Sequence, residues 1–338
     1  MKIFYESGYV NMGGILSEGF PFTFVVGARG TGKTFDVLDN SVENDIQFLY
    51  MRRIQAQCDL INKPDFSPFK PINEKKNLDI KVKSISHYNG MFYSEIGDKI
   101  KPYGYTAALS TISNMRGFSA EQVKRLIYDD FIKEKHEKPL KKEADAFFNA
   151  YETVNRNREL EGFPPLQACL MANSNDISNP IFEELKLIKI ADKLQRSGQM
   201  VWSDDRRGIL LIMLSNSPIS QKKKNTALYR LTNGSEFAAM ALDNDFNIYR
   251  GHIKPRPIIE YVPVCSIGEL YIYKHKSNKR LYCTTYKTGT FKKSFGIYES
   301  DKMRYKEVFY HHIDLYIENR IDFEDVLAEK LFLKYWDM

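Results

Sequence analysis

The run Gly27-Ala28-Arg29-Gly30-Thr31-Gly32-Lys33-Thr34 satisfies G-x-x-x-x-G-K-[ST] at every fixed position, and it constrains this chain more than any other feature. Phe22-Thr23-Phe24-Val25-Val26 precedes it as an apolar, β-prone run and reads as a buried strand. Phe35-Asp36-Val37-Leu38-Asp39-Asn40 follows and opens a helix. A strand, loop and helix in that order aim backbone N–H groups and a helix N-terminus at a phosphate. Gly27, Gly30 and Gly32 let the backbone wrap an anion without Cβ clashes, and Ala28, Arg29 and Thr31 complete the cradle. Lys33 is placed to reach the β- and γ-phosphates, and the Thr34 hydroxyl to ligate Mg²⁺. A nucleoside triphosphate is the expected ligand.

The rest of the chain alternates strands and helices, which argues a mainly parallel α/β sheet. Gln47–Met51 reads as a second core strand running into Arg52-Arg53. That arginine pair suits a phosphate or a neighbouring subunit as well as it suits solvent. Residues 62–80, rich in proline and lysine, read as a surface loop. Asn89-Gly90, set between two aromatic-bearing runs, predicts a hairpin in an antiparallel insertion at the sheet edge. Tyr5 and Tyr9, in the lead-in, suit either the cover of an adenine ring or packing on the first strand.

Arg125–Tyr128 reads as the next core strand and ends in Asp129-Asp130. Nucleotide hydrolysis needs a carboxylate for the metal, a base to orient water, and positive charge for the departing phosphate. Asp129 is therefore the expected metal carboxylate, together with Thr34. Asp130 is the expected base, with Glu134 as the alternative should the strand end differently. A helix from about Lys141 to Glu159 carries Arg156 and Arg158 near its end, where arginine also suits the macrodipole. Either arginine is a candidate finger for a neighbouring subunit. Gln167–Ala172 reads as a buried strand, and Asn173 at its end is placed to sense the γ-phosphate.

From residue 186 the texture becomes basic, with Lys222-Lys223-Lys224 near the end of a stretch (186–227) that reads as a linker or small subdomain. Residues 228–338 read as a second domain. Between Tyr271 and Lys306 ten Lys or Arg residues face two acids, laced with Tyr271, Tyr273, Tyr282 and Tyr286, which suits a nucleic-acid backbone. From Glu307 the balance reverses to eight acids against three bases, on a helical pattern. Asp243, Asp245 and Glu260 show no spacing that marks a metal-dependent nuclease, so no nuclease activity is expected. The four cysteines (Cys58, Cys169, Cys265, Cys283) lie far apart and read as reduced thiols. No apolar run is long enough for a signal peptide core or a membrane span.

In this order, "FVVGARGTGKT", "FLYMRR", "LIYDDFIKEK", "VNRNRE", "ANSNDISNP" and "LTNGSEFAAMALDN" resemble the DNA-encapsidation ATPases of phi29-type bacteriophages over most of the chain. The resemblance implies an N-terminal ATPase domain (1–185) of the additional-strand, catalytic-carboxylate class, a linker (186–227), and a C-terminal domain (228–338). That last domain would be a strand-rich α/β unit similar to an RNase H-type nuclease without its catalytic carboxylates. It further implies ATP and Mg²⁺ as cofactors and a ring of five subunits at the portal vertex of an empty procapsid. Double-stranded DNA would be the substrate, in the host cytoplasm, with the motor absent from the mature virion and no membrane involved. Some family members dock through a structural packaging RNA, which makes one a candidate partner. Arg156 matches the family's trans-acting arginine. Asp129-Asp130 matches an Asp-Glu pair, so Asp130 is a departure. A helicase or DNA-transfer motor would carry the same nucleotide signatures.

Overall fold

The computed structural model describes residues 1–115, 121–134, 137–173, 177–215, 217–235, 238, 242 and 250–337. The chain divides into two compact units, one of residues 1–185 and 194–247, the other of residues 186–193 and 248–338. Ser174, Asn175, Asp243 and Asp245 lie outside the described residues.

The first unit carries nine strands: β1 (Phe22–Gly27), β2 (Phe48–Arg52), β3 (Lys81–Ser84), β4 (Gly90–Ile96), β5 (Lys99–Ala108), β6 (Arg125–Asp129), β7 (Gln167–Ala172), β8 (Val201–Asp204) and β9 (Ile209–Leu214). They form one sheet in the order β3-β4-β5-β2-β6-β7-β1-β9-β8. The strands from β5 to β9 in that order run parallel, while β3 and β4 at one edge and β8 at the other run antiparallel. The central strands are apolar and buried along nearly their whole length, as a parallel sheet covered on both faces requires. β7 is inserted between β1 and β6, so the strand of the phosphate loop and the strand of Asp129-Asp130 are not neighbours. Register sets Val26 beside Ala172 and Asp129 beside Met171. Gly27, Asp129 and Asn173 thus leave the sheet along the same edge, where open parallel sheets bind ligands.

Three expectations about the first unit are corrected here. Residues 201–214 are not linker: β9 pairs with β1 from Phe22↔Ile209 to Gly27↔Leu214, and β8 pairs with β9. The basic character of the wider 186–227 stretch hid Ile209–Leu214, whose unbroken apolar run is what a strand buried on both faces needs. The first unit consequently reaches residue 247 instead of 185, and the second begins near 248 instead of 228. Residues 62–80 are not a loop: a 3₁₀ turn (Pro64–Phe66) and a helix (Lys70–Lys76) bury Phe69 and Ile72 in the core. The predicted hairpin forms at the sheet edge as β3 and β4, but Asn89-Gly90 is not the centre of its turn. The hairpin turn spans residues 85–89, and Gly90 already pairs with Ser84. A Cβ on Gly90 would lie 2.2 Å from Asn62 Oδ1, so glycine serves close packing there.

The second unit holds a five-stranded sheet of β10 (Tyr261–Ile267), β11 (Leu270–His275), β12 (Leu281–Thr284), β13 (Ser294–Phe295) and β14 (Ile321–Phe323). Its order is β13-β10-β11-β12-β14, an antiparallel meander with a parallel strand at each edge. The acidic tail is not one helix. Helices Glu299–Val308, His311–Ile317 and Val326–Trp336 are separated by a turn and by β14. Tyr305, Phe309, Phe332 and Tyr335 pack with Ile267, Ile272 and Phe323 as this unit's core.

Candidate active site

The phosphate-loop motif folds as its sequence demands. β1 ends at Gly27, and the Lys33–Glu43 helix starts behind Gly32, whose φ of +95° only glycine adopts freely. Lys33 is buried, and its Nζ donates to the carbonyls of Gly27 and Ala28, each at 3.1 Å. Burial pushes the Lys33 ammonium down to about 8, against the pull of Asp129 and Asp130. The loop therefore wraps around the Lys33 ammonium, the arrangement expected of an anion cradle.

Asp129 is the hub beside that cradle. Its Oδ2 accepts hydrogen bonds from Thr34 Oγ1 at 2.9 Å, Tyr50 Oη at 2.6 Å and Arg52 Nη1 at 3.2 Å. Arg52 also pairs through Nη2 with Asp130 at 2.7 Å. Asn173 Nδ2 donates to Asp130 Oδ1 at 3.3 Å. Burial, and then the charge of Asp129, raise the Asp130 carboxyl above its usual range, against Arg52 and Lys33. Asp130 adopts φ +54°, which turns its side chain out of the β6 ladder. Glu134 pairs with Arg29 of the loop itself.

Arg52 and Arg53 part company. Arg52 holds the two aspartates, whereas Arg53 is fully buried and binds Glu143 at 2.8 Å and Glu137 at 2.9 Å. Sequence reasoning left both undecided and missed Tyr50, because a tyrosine inside an apolar strand reads as core. Its ring is core, and only its hydroxyl reaches the site. Tyr5 donates its hydroxyl to Asp36 at 3.3 Å, and Tyr9 lies against Gly32 of the loop. They are 43% and 47% exposed and line a cavity of about 920 Å³ with Gly32, Phe35, Asp36 and Asp39.

A family model for podovirus DNA encapsidation proteins (Gp16) matches residues 4–252. The chain belongs to this family. A DNA packaging protein of Bacillus phage B103 is 28% identical over 229 residues, covering 66% of this chain and 63% of the relative. The match thus spans just under two thirds of that relative's length. A chain in the bacteriophage Phi-29 viral genome packaging motor assembly has the same fold. The two superpose with a TM-score of 0.68 at 20% identity, over 99% of this chain and 100% of the other. The Phi-28 gp11 DNA packaging motor gives 0.57 at 19% identity, over 92% of each chain.

In this encapsidation-family chain the two candidate finger arginines have different surroundings. The helix that was expected to run to Glu159 stops at Asn155, because Arg156 takes φ +49°. Arg156 is exposed, while Arg158 donates to the Glu121 carbonyl at 3.0 Å and to that of Val123. Both lie where the chain returns to the start of β7, the sheet edge opposite Gly27, Asp129 and Asn173. Neither arginine meets its own phosphate loop. In the second unit, Tyr273 and Tyr282 are buried packing residues, so the aromatic lacing of the basic stretch is mostly core. Lys274, Lys276, Lys279, Lys287, Lys292 and Lys293 are exposed. Glu260 lies at the end of a 3₁₀ turn, 3.8 Å from His275 Nε2.

Proposed function

We propose that this chain is the ATPase subunit of a phage DNA-packaging motor, hydrolysing ATP in a ring and driving double-stranded DNA into a procapsid. One observation carries the reading: Lys33, Thr34, Asp129, Asp130 and Asn173 converge on a single sheet edge, where Thr34 bonds Asp129, Asn173 bonds Asp130, and Arg52 pairs with both aspartates. The loop amides and Lys33 bind the phosphates, and the cavity lined by Tyr5 and Tyr9 takes the base. Thr34 and Asp129 are hard oxygen donors side by side at a helix start, a donor set that fits Mg²⁺. When bound, that ion supplies neutralisation of the β- and γ-phosphate charge.

Asp130 orients the attacking water and accepts its proton. Its raised pKa suits it to that task, and Asn173 fixes its direction. Arg52 sets how much of Asp130 is available, because the same guanidinium holds both aspartates. Glu134, tied to Arg29, serves the loop. Arg156, exposed at the far edge, acts on the phosphates of a neighbouring subunit in a ring of five at the portal vertex. The exposed lysines of the second unit give a backbone-tracking surface for DNA, with a packaging RNA as a further polyanionic partner. The second unit acts as a binding domain of vestigial-nuclease type.

The test is DNA-stimulated ATPase activity of the full chain with procapsids. Lys33→Ala and Asp129→Ala each lower turnover by about 10²-fold or more. Strand separation of a forked duplex without procapsids would mark a helicase instead. Turnover indifferent to DNA would leave only a nucleotide switch.

A further inference from the structure

Lys223 ends the Pro218–Lys223 helix, in the segment that follows β9. Its Nζ donates to the backbone carbonyl of Arg29, in the middle of the phosphate loop, at 2.7 Å. The contact is close: a Cβ on Gly30 would lie 2.1 Å from that Nζ and 3.2 Å from Cε. The helix is fixed from two sides. Lys222 Nζ donates to the Ser7 carbonyl at 3.1 Å, and Pro218 lies beneath Gly8, where a Cβ would come within 2.9 Å. The lysine is thus delivered to the loop by a braced element.

The electrostatics of Lys223 are unbalanced. Among the described residues it pairs with no carboxylate, and its acceptor is a neutral carbonyl. Burial lowers its pKa with nothing to offset the cost. Lys33 feels it as a nearby like charge. A partly buried ammonium without an anion is an expensive arrangement, and it becomes favourable once an anion arrives beside it. Phosphates sit on the amides of this same loop, and a lysine has three donors on a flexible stem.

We propose that Lys223 is a second phosphate-binding lysine, donated in cis from beyond β9, which contacts the terminal phosphate of a bound nucleoside triphosphate. The inference rests on the nucleotide reading of the loop given above. It assigns a role to the basic cluster Lys222-Lys223-Lys224, which the sequence offered only as a linker charge. Lys33 enters from the helix start and Lys223 from the crown of the loop, so the two clamp the phosphates from different sides. The consequence is discrimination: a diphosphate lacks the group that Lys223 contacts.

The test compares full-length wild type with Lys223→Met, which keeps the aliphatic stem, and Lys223→Arg, which keeps the charge. Binding of ADP and of a non-hydrolysable ATP analogue is measured by calorimetry, with melting curves as a folding control. Lys223→Met should weaken the triphosphate analogue about tenfold and ADP less than about twofold, with Lys223→Arg recovering part of the loss. Equal losses for both nucleotides, or no loss for either, overturn the proposal while leaving the nucleotide site intact. A wild-type chain that binds neither nucleotide overturns the nucleotide reading, and this inference with it.

Discussion

Asp129 and Asp322 are both buried aspartates on strands, and both are held by arginine, yet their settings differ. Asp129 closes β6 at the edge where the phosphate loop emerges, with Thr34, Tyr50 and Arg52 gathered on one oxygen. Asp322 lies mid-strand in β14, fully buried, with Arg256 at 2.9 Å and Arg280 at 2.6 Å. Its backbone is locked opposite Tyr282 in the ladder, and Arg280 also donates to the Asn319 carbonyl. A carboxylate at a strand end has partners that a ligand can rearrange. One in mid-strand has its backbone fixed in the ladder and its carboxylate fully buried between its partners. Position along the strand, more than residue type, separates a reactive group from a staple.

The largest effect that would sharpen this contrast comes from a fourth arginine, the exposed Arg156. Arg156→Ala should lower turnover about 10³–10⁵-fold while leaving nucleotide binding intact. Mixing it with an Asp130→Ala subunit should restore part of the activity, because each supplies what the other lacks. No recovery at any ratio would place Arg156 outside a shared site. Arg158→Ala, which removes a clamp on two carbonyls, should instead lower stability and leave per-site turnover nearly unchanged.

Next in size is the staple itself. Asp322→Ala leaves two arginines facing each other and should cost about 3 kcal/mol, read as a fall of several degrees in the melting temperature. Asp129→Asn keeps the hydrogen-bonding shape and should change melting little while losing turnover. If Asp129→Asn melts as low as Asp322→Ala, the contrast fails.

The smallest effect is protonic. Lys33 is held near 8 by burial, so between pH 8 and 9 part of its population is neutral. A bound triphosphate favours the charged form and raises that pKa, so binding takes up a fraction of a proton and weakens as pH rises above 8. Calorimetry in buffers of different ionisation enthalpy measures the uptake, which should vanish near pH 6 and in Lys33→Met. Uptake that persists in Lys33→Met would assign the proton elsewhere.

Much of the first unit was legible in sequence because its strands are short apolar runs that each stop at a loop of distinct chemistry. Gly27, Asp129 and Asn173 could be found one by one in that way. What the sequence does not write down is strand order. Tyr50 reaches Asp129 only because β2 lies beside β6 with Tyr50 opposite Ile127, and no local pattern encodes that adjacency. Arg158 looked equivalent to Arg156 until the carbonyls of residues 121 and 123 came beside it. β9 was overlooked for a different reason. The charge of the wider 186–227 stretch outweighed six apolar residues whose continuity was the better signal.

The φ of +54° at Asp130 also bears on how this site can change over generations. Aspartate and asparagine enter that backbone region at little cost, whereas other side chains are disfavoured there by about 1 kcal/mol. The handover from β6 therefore screens residues by shape before their chemistry is tested. Glutamate, which the sequence resemblance would put at this place, must overcome that penalty to enter. Asparagine enters without disturbing the fold and, on the role proposed for Asp130, removes the base. Of the neighbouring mutational paths, the one silent in structure would then be the one that costs turnover.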